Sequence, residues 1–284
     1  MLITLFVLSI TMFSFLFYYY KRSQKKIIQY MAFLYILLFG TVSFGIGGYL
    51  IYTIDLTWVH ATGNGGPKAL NTHSIVRNGL DSKIKPEVKL EAPIVHQFPE
   101  LPRGCEITSL TMLFQYHNID VNKMRLAKEI KRDKTPYVKK NGVVYFGDPN
   151  TGFVGNMYSF NQPGLGVYHQ PLYELTMNYV GDKAVNLTGQ DFQSVIRSVS
   201  NGEPVVTITN ITYQPLSESE FETWQTPNGP VEITRKLHAV LVTGYDQQNV
   251  YFNDPYDGKQ KKAPKQSFIA AWEQMGKQAI SISL

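Results

Sequence analysis

The sequence predicts a domain of the α+β class preceded by a hairpin of two transmembrane helices. Three observations predict this architecture. Residues 1–54 contain two apolar stretches separated by a short basic turn. Helical patterns dominate the next part of the chain, up to about residue 200, and strand-like segments follow from residue 204. Helices first and antiparallel strands afterwards are typical of α+β domains.

The two apolar stretches are long enough to cross a bilayer. Residues 1–20 and 27–54 contain no Asp, Glu, Lys, Arg or His. At about 1.5 Å per residue, a helix of about 20 residues spans the roughly 30 Å hydrocarbon core. A cleaved signal peptide is the alternative for the first stretch, but it lacks a basic beginning and a small-residue cleavage site. We therefore predict two uncleaved spans.

The basic turn between the stretches predicts their orientation. Residues 21–26 read Lys-Arg-Ser-Gln-Lys-Lys, and neither outer flank carries a comparable cluster. Because basic turns stay in the cytoplasm, we expect the N-terminus and everything after residue 54 to lie outside the cell. The chain is thus predicted to be a multi-pass protein of the cell membrane with an extracellular domain.

Charge argues against a nucleic-acid partner. The chain has 27 Lys plus Arg and 22 Asp plus Glu, a net charge of +5. Four of the basic residues lie in the turn, so residues 55–284 carry 27 − 4 = 23 basic and 22 acidic residues. A nearly neutral domain lacks the positive surface that binding to phosphates needs. The lysine clusters at 128–134 and 259–265 are interpreted as solvated surface.

The chain contains a single cysteine, which excludes an internal disulfide. There is no CxxC pair and no HExxH pattern, and six scattered His do not form a zinc motif. No metal and no organic cofactor are expected. The cysteine is therefore of interest for its own chemistry.

Periodicity and chain breakers define three parts of the sequence: the spans at 1–54, a juxtamembrane stalk at 55–93 and a compact domain at 94–284. The first helix of the domain follows two prolines, and its apolar residues recur at spacings of three and four. The strands are rich in Val, Ile and Thr, and the short loop at 246–248 joins two of them as a hairpin. The predicted helices are 103–116, 122–130, 171–180, 190–200 and 267–275, the strands are 204–211, 238–245, 249–254 and 279–284, and a loop covers 149–171.

Four residues are candidates for nucleophilic chemistry. Cys105 lies in the first turn of a helix, where oriented N–H groups favour a thiolate. His238 begins one strand of the predicted hairpin and Asp254 ends the other, so pairing brings them to neighbouring positions. Gln97, eight residues before Cys105, is placed to offer an amide to an oxyanion, and Gly104 is expected to leave the thiol accessible. A buried structural cysteine remains an open alternative at this point.

Five segments carry a resemblance to a known family. They are residues 97–110 (QFPELPRGCEITSL), 152–155, 164–168, 237–246 and 252–255. In content and order they resemble the bacterial papain-like cysteine peptidases of family thirty-nine, in its stand-alone "family thirty-nine-like" branch, over about residues 93–284.

This resemblance implies a papain-like fold, with the cysteine on an N-terminal helix and the histidine and aspartate on a C-terminal antiparallel sheet. It implies Cys105 as nucleophile, His238 as base and acid, Asp254 as the residue that orients His238, and Gln97 as oxyanion donor.

The sequence departs from the better-known members of that family, which cleave double-glycine leaders. Those members resemble Gln-x-x-x-x-Asp-Cys-Gly and are fused to an ATP-driven exporter, whereas this chain reads Arg-Gly-Cys-Glu at 103–106 and has no G-x-x-x-x-G-K-[ST] motif. Leader cleavage is therefore not expected. An acidic and aromatic insert at 212–236 is interpreted either as a lid or specificity loop or as a solvent-exposed decoration.

The predicted function is hydrolysis of peptide bonds in a peptide or protein substrate by a membrane-anchored extracellular cysteine peptidase. A second interpretation keeps the same residues for a peptidoglycan amidase or endopeptidase, or a thiol acyltransferase, at the cell wall. A third is a catalytically silent domain that binds a peptide or a membrane-protein partner.

Overall fold

We describe residues 84–283, together with the helical positions 18, 26 and 35, from a computed structural model. The chain divides into two units, residues 1–77 and 78–284. Apart from those three positions, the predicted spans, the basic turn and residues 55–83 of the predicted stalk lie outside the described residues. Across the part of the chain that is described, no helix has both the length and the apolar character needed to cross a membrane.

Five α-helices lie within residues 84–283. Those predicted from periodicity are all present, with ends that differ by a few residues. The side chain of Asn122 caps the second helix by accepting a hydrogen bond from the N–H of Arg125, and Asp191 caps the fourth in the same way through Ser194. The helices are α1 (Cys105–Tyr116), α2 (Lys123–Glu129), α3 (His169–Val180), α4 (Phe192–Ser200) and α5 (Lys265–Gln274).

Thirteen strands are found in the same described part of the chain, most of them in one antiparallel sheet. They are β1 (Val88–Lys89), β2 (Arg132–Asp133), β3 (Val138–Lys140), β4 (Val143–Tyr145), β5 (Phe153–Val154), β6 (Ala184–Asn186), β7 (Val205–Asn210), β8 (Phe221–Thr226), β9 (Gly229–Thr234), β10 (Leu237–Tyr245), β11 (Asn249–Asp254), β12 (Lys259–Pro264) and β13 (Ala279–Ile282). The main sheet has the order β12-β11-β10-β7-β13-β6, and β1 pairs with the far end of β10.

The main sheet is covered on both faces, which explains the nearly continuous apolar sequence of β10. Ala239 and Leu241 point into a core shared with α1, α2 and α3. Val240 and Val242 point to the opposite face, into a second core with α4 and α5. Because side chains alternate along a strand, both sets must be apolar. The α+β class is confirmed, and α1 lies directly against β10.

The folded part of the chain begins before residue 94, where the predicted stalk was expected to end. Val88 and Lys89 pair with Tyr245 and Gly244 at the end of β10. A side chain at Gly244 would collide with the Val88 carbonyl, so the glycine allows this close approach. The pairing is long-range, and the two-residue strand has no periodicity of its own that the sequence could reveal.

The insert at 212–236 is folded, with Trp224, Ile233 and Thr234 buried and most of its other side chains exposed. Its β8 and β9 form a hairpin that joins β3 and β4 in a four-stranded sheet. Trp224 is completely buried against Phe146, Val154 and Ile233 in a small third core, and its indole N–H donates to the Gly147 carbonyl. Burial of so large a side chain gives the insert a core of its own.

Candidate active site

Cys105 is the first residue of α1, as the sequence predicts. Gly104 precedes it as the N-cap, and no side chain caps the helix. A Cβ at Gly104 would lie 2.5 Å from the Cβ of the fully buried Leu101. The glycine is therefore required by close packing against Leu101, a different reason from the open approach to the thiol that we expected. This packing fixes the start of α1.

The Cys105 thiol lies in a buried environment that disfavours its charged form. Its Sγ donates a hydrogen bond to Oε2 of Glu106 at 3.3 Å. Burial raises the pKa of the thiol well above its usual value, and the Glu106 carboxylate raises it further. The backbone N–H groups of Ala239 and Glu106 lower this pKa by less. The sequence predicts that the start of the helix favours the thiolate. In the structure, burial and the Glu106 carboxylate outweigh that effect.

His238 lies near the start of β10, one residue before Ala239, whose N–H contacts the thiol. Its Nε2 is 2.8 Å from Oδ1 of Asp254, the last residue of β11. The predicted contact between the strand ends is thus present. Because Nε2 is engaged with Asp254, Nδ1 is the ring nitrogen left to exchange a proton with another group.

Asp254 is completely buried and accepts hydrogen bonds from four donors. Oδ1 accepts from His238 and from the N–H of Tyr256, and Oδ2 accepts from Lys261 at 2.6 Å and from the hydroxyl of Tyr213. Burial raises the pKa of Asp254, but the hydrogen bond and charge of His238, followed by Lys261 and Tyr213, outweigh it and lower the pKa overall. Asp254 is therefore held in the ionised form.

Gln97 is buried close to the same residues. Its backbone N–H donates to the carbonyl of Pro255, next to Asp254, and its side-chain Nε2 donates to the carbonyl of Pro102 at 2.7 Å. An amide nitrogen carries two hydrogens, so one remains after this bond is made. The Oε1 atom is buried without a hydrogen-bond partner among the described residues. The amide is thus anchored beside the segment that leads to Cys105.

The four predicted residues do not all share one surface. Gln97, Cys105 and His238 line a cavity of about 360 Å³, while Asp254 lies behind His238. A larger depression of about 560 Å³ lies around Arg132 and Tyr137 and includes none of the four. We assign the chemistry to the smaller cavity because it alone contains a thiol and an imidazole. Its wall also includes Arg103, Phe160, Leu165, Arg235, Lys236 and Tyr256.

Three residues of the site escaped the sequence analysis. Glu106 is part of the motif around Cys105 but was given no role. Lys261 was placed in solvated surface, yet it pairs with Phe252 across β11 and β12 and so reaches Asp254 two residues further on. The pairing of β12 with β11 would have indicated the contact between Lys261 and Asp254. No feature of the sequence indicated the contact of Tyr213, from the start of the insert, with Asp254.

Within residues 84–283, no group of three or more His, Cys, Asp or Glu side chains is arranged to hold a metal ion. What the cavity does bring together is a thiol, an imidazole and, behind the imidazole, an ionised carboxylate. These are the parts from which thiol-dependent acyl transfer is built.

Comparisons with known proteins agree with this fold. The profile of the Peptidase_C39 like family matches residues 89–280. The uncharacterized protein YvpB of Bacillus subtilis (strain 168) is 46% identical over 184 residues, which cover 65% of this chain and 70% of that protein. The crystal structure of a provisionally assigned C39-like peptidase from Bacillus anthracis is 48% identical with a TM-score of 0.65, and the match covers 70% of this chain and 98% of that chain.

A third likeness is weaker. Xylellain, a cysteine protease from Xylella fastidiosa, is 14% identical with a TM-score of 0.36 over 70% of this chain and 86% of that chain. The fold is that of the C39-like peptidases, and the chain belongs to the Peptidase_C39 like family.

Proposed function

We propose that this protein is a cysteine peptidase with Cys105 as nucleophile and His238 as base and acid. The observation that carries the proposal is the arrangement around His238. Its imidazole lines the same cavity as Cys105, and its Nε2 is bonded to the buried, ionised Asp254. A base held on one side by a carboxylate presents its other nitrogen in a fixed tautomer and orientation.

The proposed reaction begins with transfer of the Cys105 proton to Nδ1 of His238. The thiolate attacks an amide carbonyl carbon, the carbonyl π-electrons move to oxygen, and an oxyanion forms. The imidazolium then gives its proton to the departing amine as the C–N bond breaks. Water, deprotonated by His238, releases the acyl group and restores the thiol.

Gln97 and the Cys105 N–H are the proposed donors to the oxyanion. Gln97 and Cys105, the first residue of α1, both line the cavity, and the bond to Pro102 holds the Gln97 amide in place. Preorganised donors of this kind contribute about 10²–10³ in rate. We expect Gln97→Ala to lose about that factor in kcat while the fold is retained.

The proposed location is the outer face of the cell membrane, through two spans within residues 1–54. The basic turn at 21–26 and the uncharged stretches beside it support this orientation. Protease treatment of intact spheroplasts tests it. Loss of the domain without lysis is the expected result, and protection until lysis would reverse the orientation.

The central experiment measures turnover of a denatured protein by the purified full chain. Cys105→Ala should abolish turnover, and His238→Ala should reduce it by about 10²–10⁴. Turnover that survives Cys105→Ala would contradict the assignment. Ser109→Ala is a suitable control, since Ser109 lies one turn along α1 and donates only to the Ala239 carbonyl.

Purified cell wall, digested in parallel, separates a general peptidase from a wall amidase or endopeptidase. The basic side chains of the cavity wall already have partners: Arg235 pairs with Glu222, Lys236 pairs with Glu220, and Arg103 donates to backbone carbonyls. The charge of the cavity wall therefore does not choose between a protein and a wall substrate, and the digestion does. Release of amines from wall but not from protein would select that substrate.

A catalytically silent binding domain is the second candidate function, and the raised pKa of the Cys105 thiol favours it. Thiol alkylation distinguishes the two. Rapid, pH-dependent labelling of Cys105 that is lost in His238→Ala supports an enzyme, whereas slow labelling that is indifferent to His238 supports binding alone.

A further inference from the structure

Glu106 is a buried acid in direct contact with the proposed nucleophile. Its side chain has no exposed surface. Oε2 accepts the hydrogen bond from the Cys105 thiol at 3.3 Å, and Oε1 accepts the backbone N–H of Val167 at 3.1 Å. Two neighbouring acids therefore share a contact, and the donors to the carboxylate among the described residues are backbone N–H groups and the thiol.

The surrounding chain is shaped to hold this carboxylate. A Cβ at Gly166 would collide with Oε1 of Glu106 and would also lie 2.9 Å from Cδ2 of Leu237. The loop of residues 164–168 can approach Glu106 only because residue 166 is glycine. The same loop contributes the Val167 N–H. The position of the carboxylate is thus fixed by α1 and this loop, and the loop itself is packed against Leu237 of β10.

Among the described residues, the charged and titratable groups near Glu106 offer it no compensating cation. On its own helix lies Cys105, on the loop lies Tyr168, and β10 contributes His238, which lines the cavity together with Cys105. Arg103, just before α1, donates instead to the carbonyls of Asn156 and Phe160. Burial accordingly raises the pKa of Glu106 to about 7.

Two anions in contact inside a protein repel each other strongly, since the interior screens charge poorly. A Glu106 carboxylate and a Cys105 thiolate are therefore mutually exclusive to a first approximation, and the two groups titrate as a coupled pair. Either Glu106 is ionised and accepts a hydrogen bond from a neutral thiol, or Glu106 is protonated and donates a hydrogen bond to a thiolate.

We propose that Glu106 is a positioning residue that controls the charge of Cys105: its ionised form holds the thiol protonated and inert, and its protonated form stabilises the thiolate. This inference rests on the proposed role of Cys105 as nucleophile. In the active state, the thiol proton lies on Nδ1 of His238 and a second proton, taken from water, lies on Glu106. In the inert state, that second proton has returned to water, and the thiol keeps its own.

The consequence is an activity that falls as pH rises through neutrality. Above pH 7, Glu106 loses its proton, and each such molecule has a thiol in place of a thiolate. Removing the charge of Glu106 should move the alkaline limb of the profile of kcat/KM against pH to higher pH. If Glu106 had only a structural role, its substitution would change the rate but would not move this limb.

The test is the rate of alkylation of Cys105 by iodoacetamide in the purified full chain, measured from pH 5 to 9, for wild type and Glu106→Gln. Glutamine keeps an oxygen for the Val167 N–H and turns an N–H toward Sγ. We expect labelling at pH 7.5 to be about tenfold faster in the variant, because one unit of thiol pKa changes the thiolate fraction about tenfold. Glu174→Gln, on the exposed face of α3, is the matched control.

Superposition of the wild-type and Glu106→Gln profiles would overturn the inference. If the variant does not fold, the wild type supplies the test through the infrared band of a protonated carboxyl. Loss of that band near pH 7 supports the inference, and its absence at pH 5–6 overturns it. Failure of the proposed function has a different signature: labelling that does not depend on His238 in either protein.

Discussion

The two buried carboxylates of the site, Glu106 and Asp254, contrast sharply although both lie within reach of the same cavity. Asp254 accepts four hydrogen bonds, two of them from basic side chains, and its pKa is lowered. Glu106 accepts the Val167 N–H and the thiol, and its own backbone N–H also lowers its pKa, but burial outweighs these donors and raises the pKa to about 7. Both side chains are completely buried, so burial alone does not decide the charge.

The number and charge of the donors decide it. Burial costs each carboxylate its hydration, and that cost is recovered only where donors replace the lost water. At Asp254 an imidazole, an ammonium group, a phenol and a backbone amide do so. At Glu106, backbone amides and a weak S–H donor do not recover the cost of burial, because none of these donors is charged. One carboxylate is thereby kept as a permanent anion behind the base, and the other is able to titrate beside the nucleophile.

The largest expected effect comes from removing the permanent anion. In Asp254→Asn, the oxygen of the amide can still accept from His238, but its NH₂ then faces the donors Lys261 and Tyr213, and the negative charge is gone. We expect kcat/KM to fall by about 10² or more, because the imidazolium formed during catalysis loses its stabilisation. Steady-state kinetics on the substrate that wild type cleaves measures this.

Asp246→Asn is the matched control. Asp246 also accepts from several donors, among them Tyr251 and the N–H of Gln248, and its pKa is lowered as well. It lies in the loop between β10 and β11, away from the cavity. Similar losses of activity in both variants would mean that Asp254 acts through stability alone.

The next effect is a pH dependence of stability that runs in opposite directions for the two carboxylates. The folded pKa of Glu106 is raised, so the folded state binds more protons than the unfolded state between its ordinary 4.5 and about 7, and stability falls as pH rises through that interval. Across this interval the free energy of unfolding is expected to fall by up to about 3 kcal/mol. Asp254, with its lowered pKa, stabilises the fold above its ordinary 3.8, and that stability is lost at lower pH.

Urea unfolding of the full chain at pH 5 and pH 8, followed by the fluorescence of the buried Trp224 and Trp272, measures this dependence. Glu106→Gln should become more stable relative to wild type at pH 8 than at pH 5. Equal differences at the two pH values would mean that Glu106 does not titrate in this range. Glu174→Gln should show no such change.

The sequence was sufficient to predict the elements that carry Cys105, His238 and Asp254. The helix at Cys105 follows from local periodicity, and the hairpin that joins the other two follows from two apolar strands and a short loop. The contact between His238 and Asp254 was predictable because a hairpin fixes its register within a few residues.

The charges within the site were not predictable in the same way. The pKa of Glu106 depends on its burial under a loop 61 residues away in the chain, at Val167. Tyr213 reaches Asp254 across 41 residues, from a segment whose sequence indicated only an insert. Contacts of this kind follow from how the elements pack, and a single sequence does not record that packing.

A smaller effect is expected when Asp254 loses its ammonium partner. Lys261→Met keeps the length and packing of the side chain and removes its charge. The pKa of Asp254 should then rise, so the acid limb of kcat/KM should move upward by about one pH unit, since Lys261 is about one-third exposed and solvent screens part of its charge. Lys262→Met, at the exposed neighbouring position on β12, should leave the limb unchanged. An unmoved limb in Lys261→Met would assign the ionisation of Asp254 to His238 and Tyr213 alone.

The smallest effect isolates a single hydroxyl. Tyr213→Phe removes one donor to Asp254 and keeps the ring, which packs 4.6 Å from Phe252, centroid to centroid. A hydrogen bond of this kind contributes about 1 kcal/mol, so we expect a loss of about fivefold in kcat/KM and a slight upward movement of the acid limb. Tyr251→Phe removes the same kind of bond, from a tyrosine to Asp246, outside the cavity.

If Tyr251→Phe lowers stability as much as Tyr213→Phe does but leaves kcat/KM intact, the Tyr213 hydroxyl acts on the reaction through Asp254. If both variants leave kcat/KM intact, three donors suffice to hold Asp254 ionised. In that case the contrast with Glu106 depends on the two basic partners of Asp254 more than on the number of hydrogen bonds it accepts.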